Sequence, residues 1–296
     1  MYKQNHRNVN NKHFILLLLC GILMAACALK SNKNTQAQRT IVVSIEPMRF
    51  FVEQIAGDKF HVETLVPEGS SPETYEPTPR QLIDLSESKA YLRVGNLGFE
   101  RTWLEKLKEN APHLQTFNAS QGIQLLRNEH GHSDEDDTDP HTWTSAKNAK
   151  VIAQNIYHAL CFVDSASTDY YTARLNSLLH RISKTDSTLH HLLSNLEARS
   201  FMIYHPSLSY FSRDYGLQQL CIEEGGKEPT PMQLRQLVRK CQSEKIAVIF
   251  VQREFTDSNA KLIASETGVK IIEINPLSYH WEQELIHIAK SLRNGK

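Results

Sequence analysis

The sequence predicts an α/β protein of two lobes, each a βαβαβαβ unit with a parallel four-stranded sheet, joined by one long helix, with a cleft between the lobes. Three observations predict the architecture. Short apolar or β-branched runs alternate with helical patterns through both halves, the signature of parallel strands linked by crossover helices. Residues 170–199 contain neither Gly nor Pro, and Leu175, Leu178, Ile182, Leu189, Leu192 and Leu196 keep a 3/4 spacing. That pattern specifies a helix of about 30 residues, about 45 Å long at 1.5 Å per residue. No Gly- or Ser-rich hinge interrupts it, so modest rather than wide lobe movement is expected.

The elements follow in order. A β-branched run at 41–45 reads as the first strand, and 47–56 as a helix closed by Gly57. Residues 61–66 form a strand, then a Pro-rich loop leads to a short helix at 80–86. A strand at 90–94, a helix at 99–109, a weak strand at 113–117 and a helix at 145–160 complete the first half. Beyond the long helix come a strand at 201–204, a helix at 208–215 closed by Gly216, and a strand at 217–222. A helix at 231–245, a strand at 246–251, a helix at 258–267 capped by Gly268, a strand at 269–274 and a helix at 281–292 end the chain.

The N-terminus is set apart by composition. Lys3, Arg7 and Lys12 precede a 13-residue apolar run from Phe14 to Ala26, too short to span a bilayer core of roughly 30 Å. Ala25-Ala26-Cys27 resembles a bacterial lipobox, which implies cleavage before Cys27 and lipid on its thiol. The expected division is a signal peptide at 1–26, a polar lipid-anchored tether at 27–39, an N-terminal lobe at 40–165, the connecting helix at 166–199 and a C-terminal lobe at 200–296. Such a chain is exported and held at the periplasmic face or cell surface. Basic and acidic residues balance at 33 each over the whole chain, so no basic surplus points to nucleic acid. Cys161, Cys221 and Cys241 lack the close spacing of a structural zinc site and read as core residues. Their number permits at most one disulfide, with Cys221–Cys241 one allowed pairing.

In open α/β sheets, ligands sit outside the carboxyl ends of the strands. That rule selects Glu73 after the second strand, His141 after the fourth, His205 after the first strand of the second half, and Asn275 after its last. Two come from each half and can converge between the lobes. Imidazole nitrogen with carboxylate oxygen suits zinc, and also manganese or iron.

The stretch Val66-Pro-Glu-Gly-Ser-Ser-Pro-Glu-Thr-Tyr-Glu-Pro-Thr-Pro79 resembles the first ligand loop of the zinc- and manganese-binding periplasmic solute-binding family of ABC importers. Asp139-Pro-His-Thr-Trp143 is similar to its second motif, and His205-Pro-Ser-Leu-Ser-Tyr-Phe-Ser-Arg-Asp-Tyr-Gly-Leu217 to its third. Ile222-Glu-Glu-Gly-Gly-Lys-Glu-Pro-Thr-Pro-Met-Gln-Leu234 also fits the family, and the likeness runs from about Ile41 to the C-terminus. The resemblance implies a monomeric binding lipoprotein that captures a divalent metal ion, zinc before manganese or iron, and passes it to a membrane permease. It implies Glu73, His141, His205 and Asn275 as the ligand set. Two of these depart from the family pattern: zinc-binding members usually carry His where this chain has Glu73, and an acidic residue where it has Asn275. The neutral amide of Asn275 is the weaker donor, and a water in its place would leave three protein ligands. The acidic run Glu129-His-Gly-His-Ser-Asp-Glu-Asp-Asp-Thr-Asp139 resembles, in short form, the family's His- and Asp-rich loop, with His130 and His132 as a metal-collecting pair. An enzyme is not expected, because neither a His-Glu-x-x-His zinc motif nor a Gly-x-Ser-x-Gly elbow is present. An adhesin or a carrier of a chelated metal has no exposed repeat or aromatic stripe to support it.

Overall fold

The computed structural model describes residues 39–127, 138–223, 225–255 and 257–295. Residues 1–38, where the export segment and most of the tether with Cys27 are expected, lie outside the described residues, as do His130 and His132. The first lobe contains β1 (Thr40–Val43), α1 (Glu46–Ala56), β2 (His61–Thr64), α2 (Pro79–Glu87), β3 (Ala90–Arg93), α3 (Gly98–Asn110) and β4 (Gln115–Asn118), followed by α4 (Ala146–Val163). The long helix α5 (Thr168–Leu193) leads into the second lobe: β5 (Ser200–Ile203), α6 (Ser209–Tyr215), β6 (Gln218–Cys221), α7 (Pro231–Ser243), β7 (Ile249–Gln252), α8 (Ser258–Thr267), β8 (Ile271–Ile274) and α9 (Trp281–Arg293). The two four-stranded sheets run β2-β1-β3-β4 and β6-β5-β7-β8, with every pair parallel. In each sheet the order reverses at the first strand, which leaves a crevice at the carboxyl ends.

The helix starts repeat a local solution. Glu76-Pro-Thr-Pro79 and Glu228-Pro-Thr-Pro231 open α2 and α7 with the same capping box: Thr78 accepts from the Gln81 N–H, and Thr230 from the Gln233 N–H. Each box satisfies two of the unpaired donors of a helix N-terminus, and the proline supplies a pre-set φ where no N–H is needed.

The long helix spans 26 residues and stops at Leu193, short of the residue 199 expected from its leucine spacing. Arg199 lies beyond it, donating to the Leu193, Tyr215 and Gly216 carbonyls and so closing the helix from outside. The buried face of α5 carries Tyr171, Leu175, Leu178, Ile182, Leu189 and Leu193, and packs against α1, α4 and α9. Arg181 joins both lobes to this helix: it pairs with Glu282 of α9 through two nitrogens and donates to Gln54 of α1.

The main apolar core does not stop at the lobe boundary. Phe51, Tyr91 and Leu160 of the first lobe share one cluster with Phe201, Phe250, Trp281 and Leu285 of the second. A smaller cluster (Met202, Ile222, Ile249, Val251, Ile263) lies on the other face of the second sheet. Successive residues of β5 point to opposite sides, Phe201 and Ile203 into the first cluster and Met202 into the second, as the two-residue strand period requires. Cys161, Cys221 and Cys241 are not joined by a disulfide.

Glu100 of α3 holds the strand ends beneath the cleft. Its two oxygens accept the Val94 and Gly95 N–H groups at 2.8 and 2.7 Å, and Ser44, just after β1, donates to it as well. Burial pushes this carboxyl above its ordinary value, against the opposing effect of Ser44, Gly95, Arg93 and Val94. Glu100→Gln keeps the shape but turns an amide N–H₂ toward a backbone donor, leaving buried groups unmatched. The expected cost is about 1–3 kcal/mol of stability. An unfolding midpoint in urea equal to wild type would contradict this role.

Candidate metal centre

His141 follows a proline in the connection between β4 and α4, and its position is fixed before its ring is considered. Asp139 Oδ1 accepts both the His141 backbone N–H and the ring Nδ1–H, each at 2.8 Å. Asp139 is in turn held by the other lobe, where the Tyr210 hydroxyl donates to its carbonyl at 2.7 Å and Ser209 bonds its carboxylate. His205 follows β5 and is framed by Gln252, the last residue of β7. The Gln252 amide accepts from the His205 N–H at 3.3 Å and donates to the His205 carbonyl at 2.8 Å. Glu223 lies 3.3 Å from His205 Nδ1, and the Phe255 ring stacks on the imidazole at 4.8 Å with an interplanar angle of 16°.

With both Nδ1 atoms donating to carboxylates, both Nε2 atoms carry lone pairs. They face each other across 3.3 Å. Glu73 Oε1 approaches the His141 Nε2 to 3.9 Å, and it is buried with no hydrogen-bond partner. One donor atom from each of Glu73, His141 and His205 lies within 4.8 Å of the others. Three acceptors thus converge with no donor between them. A buried polar atom left unpaired costs about 1–3 kcal/mol, and a cation at their centre removes that cost for all three.

The field has the same sign. Burial alone would lower the His141 imidazole, but Asp139, with smaller help from Glu73 and Glu223, outweighs it and holds the ring above its ordinary value. Burial alone would raise Asp139, yet His141 keeps it below the usual carboxylate range. Positive charge is favoured where the Nε2 atoms meet.

Glu73 is brought in by its loop and by a glycine. The Phe99 N–H donates to the Pro72 carbonyl, fastening the loop to the start of α3. Gly98, the first residue of that helix, lies so close that a Cβ there would stand 2.3 Å from the Glu73 carbonyl oxygen and 3.0 Å from its Oε2.

The structure therefore brings Glu73, His141 and His205 together. Asn275 is occupied by its own turn: its Oδ1 accepts from the Leu277 N–H at 3.0 Å and its backbone N–H donates to Glu284. Sequence reasoning missed Asp139, Glu223, Gln252 and Phe255. Asp139 stood inside a quoted motif, and the strand-end rule applied to β6 and β7 would have singled out Glu223 and Gln252.

The two lobes meet above α5 along a hydrogen-bonded seam. The Trp143 indole donates to the Pro276 carbonyl at 2.8 Å, and the Trp281 indole to the Trp143 carbonyl at 2.7 Å. Ser145 donates to Asp214 beside them.

Residues 41–292 match the family described as zinc-uptake complex component A periplasmic. The manganese ABC transporter substrate-binding lipoprotein PsaA of Streptococcus anginosus is 28% identical over 268 residues, covering 87% of this chain and 86% of that protein. The zinc-binding lipoprotein AdcA of Streptococcus pneumoniae is 27% identical over 289 residues, covering 91% of this chain but only 56% of AdcA. A crystal structure of ZnuA superposes with a TM-score of 0.82 at 36% identity, covering 87% of this chain and 98% of that one.

Gly98→Ala tests the closeness of the Glu73 loop to α3. The added methyl displaces Glu73 without touching either imidazole, and affinity for a divalent ion should fall about 10- to 100-fold, the range seen when a ligand's support is removed. Isothermal titration of the variant, alongside its melting curve, checks this; unchanged affinity would mean that the loop is not positioned by this contact.

Proposed function

Because the chain belongs to the zinc-uptake complex component A periplasmic family, the substrate-binding components of metal ABC transporters and not enzymes, we propose that it captures zinc between its lobes and delivers it to a membrane permease. The ligands in this reading are Glu73, His141 and His205. The observation that carries it is the pair of Nε2 atoms 3.3 Å apart beside an unpartnered buried carboxylate oxygen.

Relatives are named for both zinc and manganese, so the choice of ion rests on the donors. Two imidazoles and one carboxylate suit tetrahedral zinc with water in the fourth place, whereas manganese favours a larger, oxygen-rich shell. The amide oxygen of Asn275, already accepting from Leu277, is assigned to shaping its loop, with water as the fourth ligand. Asp139 and Glu223 orient the imidazoles from behind.

The remaining parts of the reading concern the ends and the loop. PsaA and AdcA are named lipoproteins, and no helix among the described residues is long and apolar enough to cross a membrane. Cleavage before Cys27 with lipid on its thiol would anchor the protein by 27–39, with 40–165 and 200–296 as the lobes and 166–199 between them. His130 and His132 are assigned a low-affinity collecting role, and the protein acts as a monomer.

Titration of metal-free protein with zinc and with manganese tests this directly. Wild type should bind zinc more tightly, and Glu73→His should tighten zinc by about tenfold, ~1.4 kcal/mol, while weakening manganese. The double variant His141→Ala/His205→Ala should lose both ions. Tighter manganese than zinc in wild type would overturn the choice of metal, and wild type no better than the double variant would overturn the site.

A further inference from the structure

We infer that Arg253 is a latch across the cleft mouth that sets how long the captured ion stays, an inference that rests on the metal-binding reading above. Two loops and strand β8 meet at this residue. Arg253 lies in the run Gln252-Arg-Glu-Phe255, whose first residue frames His205 and whose last stacks on it. Its Nη1 stands 3.8 Å from Glu68 Oε1 in the opposite lobe, and its Nε donates to Glu273 of β8.

Glu68 precedes Glu73 by five residues in the same loop. The base of that loop is fixed: the Val66 N–H bonds the Ser44 carbonyl, and the Phe99 N–H the Pro72 carbonyl. Between those anchors the loop tip has its own turn, with the Ser70 N–H on the Pro67 carbonyl, and the Glu68–Arg253 pair reaching the other lobe. The open side of the site is also here. The Glu73 side chain is 26% exposed, against 13% for His205 and 7% for His141. In this reading an ion leaves on that side, past the segment that Arg253 ties down.

The same three groups form a small charge array in which one guanidinium lies among two carboxylates. Its electrostatic effect and its mechanical effect differ in sign, which makes them separable. If Arg253 acted only through its field, neutralising it would leave two carboxylates at the mouth, speeding capture of a cation and slowing its release. If it is a latch, neutralising it frees the loop tip between the anchors at Val66 and Pro72, beside Glu73, and both capture and release become faster. Removing the Glu68 charge speeds release in either case, and slows capture if only the field acts. The Arg253 and Glu68 side chains are 58% and 76% exposed, so the effect is modest and sensitive to salt.

The test is stopped-flow release of zinc from the loaded full-length chain into excess EDTA, with capture rates read by competition with a fluorescent zinc indicator. At low ionic strength Arg253→Gln and Glu68→Gln should each release zinc about two- to fivefold faster, with capture also faster in Arg253→Gln. The double variant should release no faster than Glu68→Gln alone, and the differences should vanish at about 1 M salt, where charges are screened within about 3 Å. Slower or unchanged release from Arg253→Gln would overturn the latch, as would strictly additive effects in the double variant. Wild type that holds no zinc at all would count instead against the function on which the latch rests.

Discussion

The two indoles at the seam are the constraint on which the rest depends. Trp143 reaches from the first lobe to the Pro276 carbonyl, and Trp281 reaches back to the Trp143 carbonyl. Each bond satisfies a buried polar group that the apolar surroundings would otherwise penalise. Trp143 lies two residues after His141, so the seam also fixes the segment that carries that imidazole. With a core continuous between the lobes beneath it, the cleft is a built cavity rather than the gap between two swinging bodies.

How much of this was legible in the sequence depended on the range of the interaction. The strand and helix alternation could be read because its periodicity is local, and so could the capping residues Thr78 and Thr230. The histidines were legible because each lies just past a strand end, inside a motif with a family likeness. What surrounds them was not. Glu223 reaches His205 only because β5 and β6 pair in the register Ile203↔Cys221, a ladder continued by the Glu223 N–H to the Tyr204 carbonyl. A shift of one residue would turn the carboxylate to the other face. The early end of α5 was hidden for a similar reason. Residues 194–199 carry no helix breaker, and it is Arg199, bonded to carbonyls of a neighbouring helix, that gives the chain a better alternative.

Charge accounts for why the centre tolerates two imidazoles in contact. Asp139 and Glu223 place a carboxylate behind each ring, and Glu73 contributes a third facing them. Such a group is costly to bury when empty and favourable to bury when a divalent ion neutralises part of it. Both imidazoles are largely buried, so the benefit is larger than the same ligands would give at an open surface.

The placement of α9 has a consequence for how the molecule comes into being. Its first residue, Trp281, lies against Phe50 and Phe51 of α1, the first helix described, and its Glu282 pairs with Arg181 in the middle of α5. The earliest and latest helices in the described chain are therefore neighbours. Until the C-terminal residues have emerged, α1 and α5 present an apolar stripe with nothing to cover it. Nascent chain must hold that surface open through most of its synthesis, and the two lobes are units of topology without being independent units of folding.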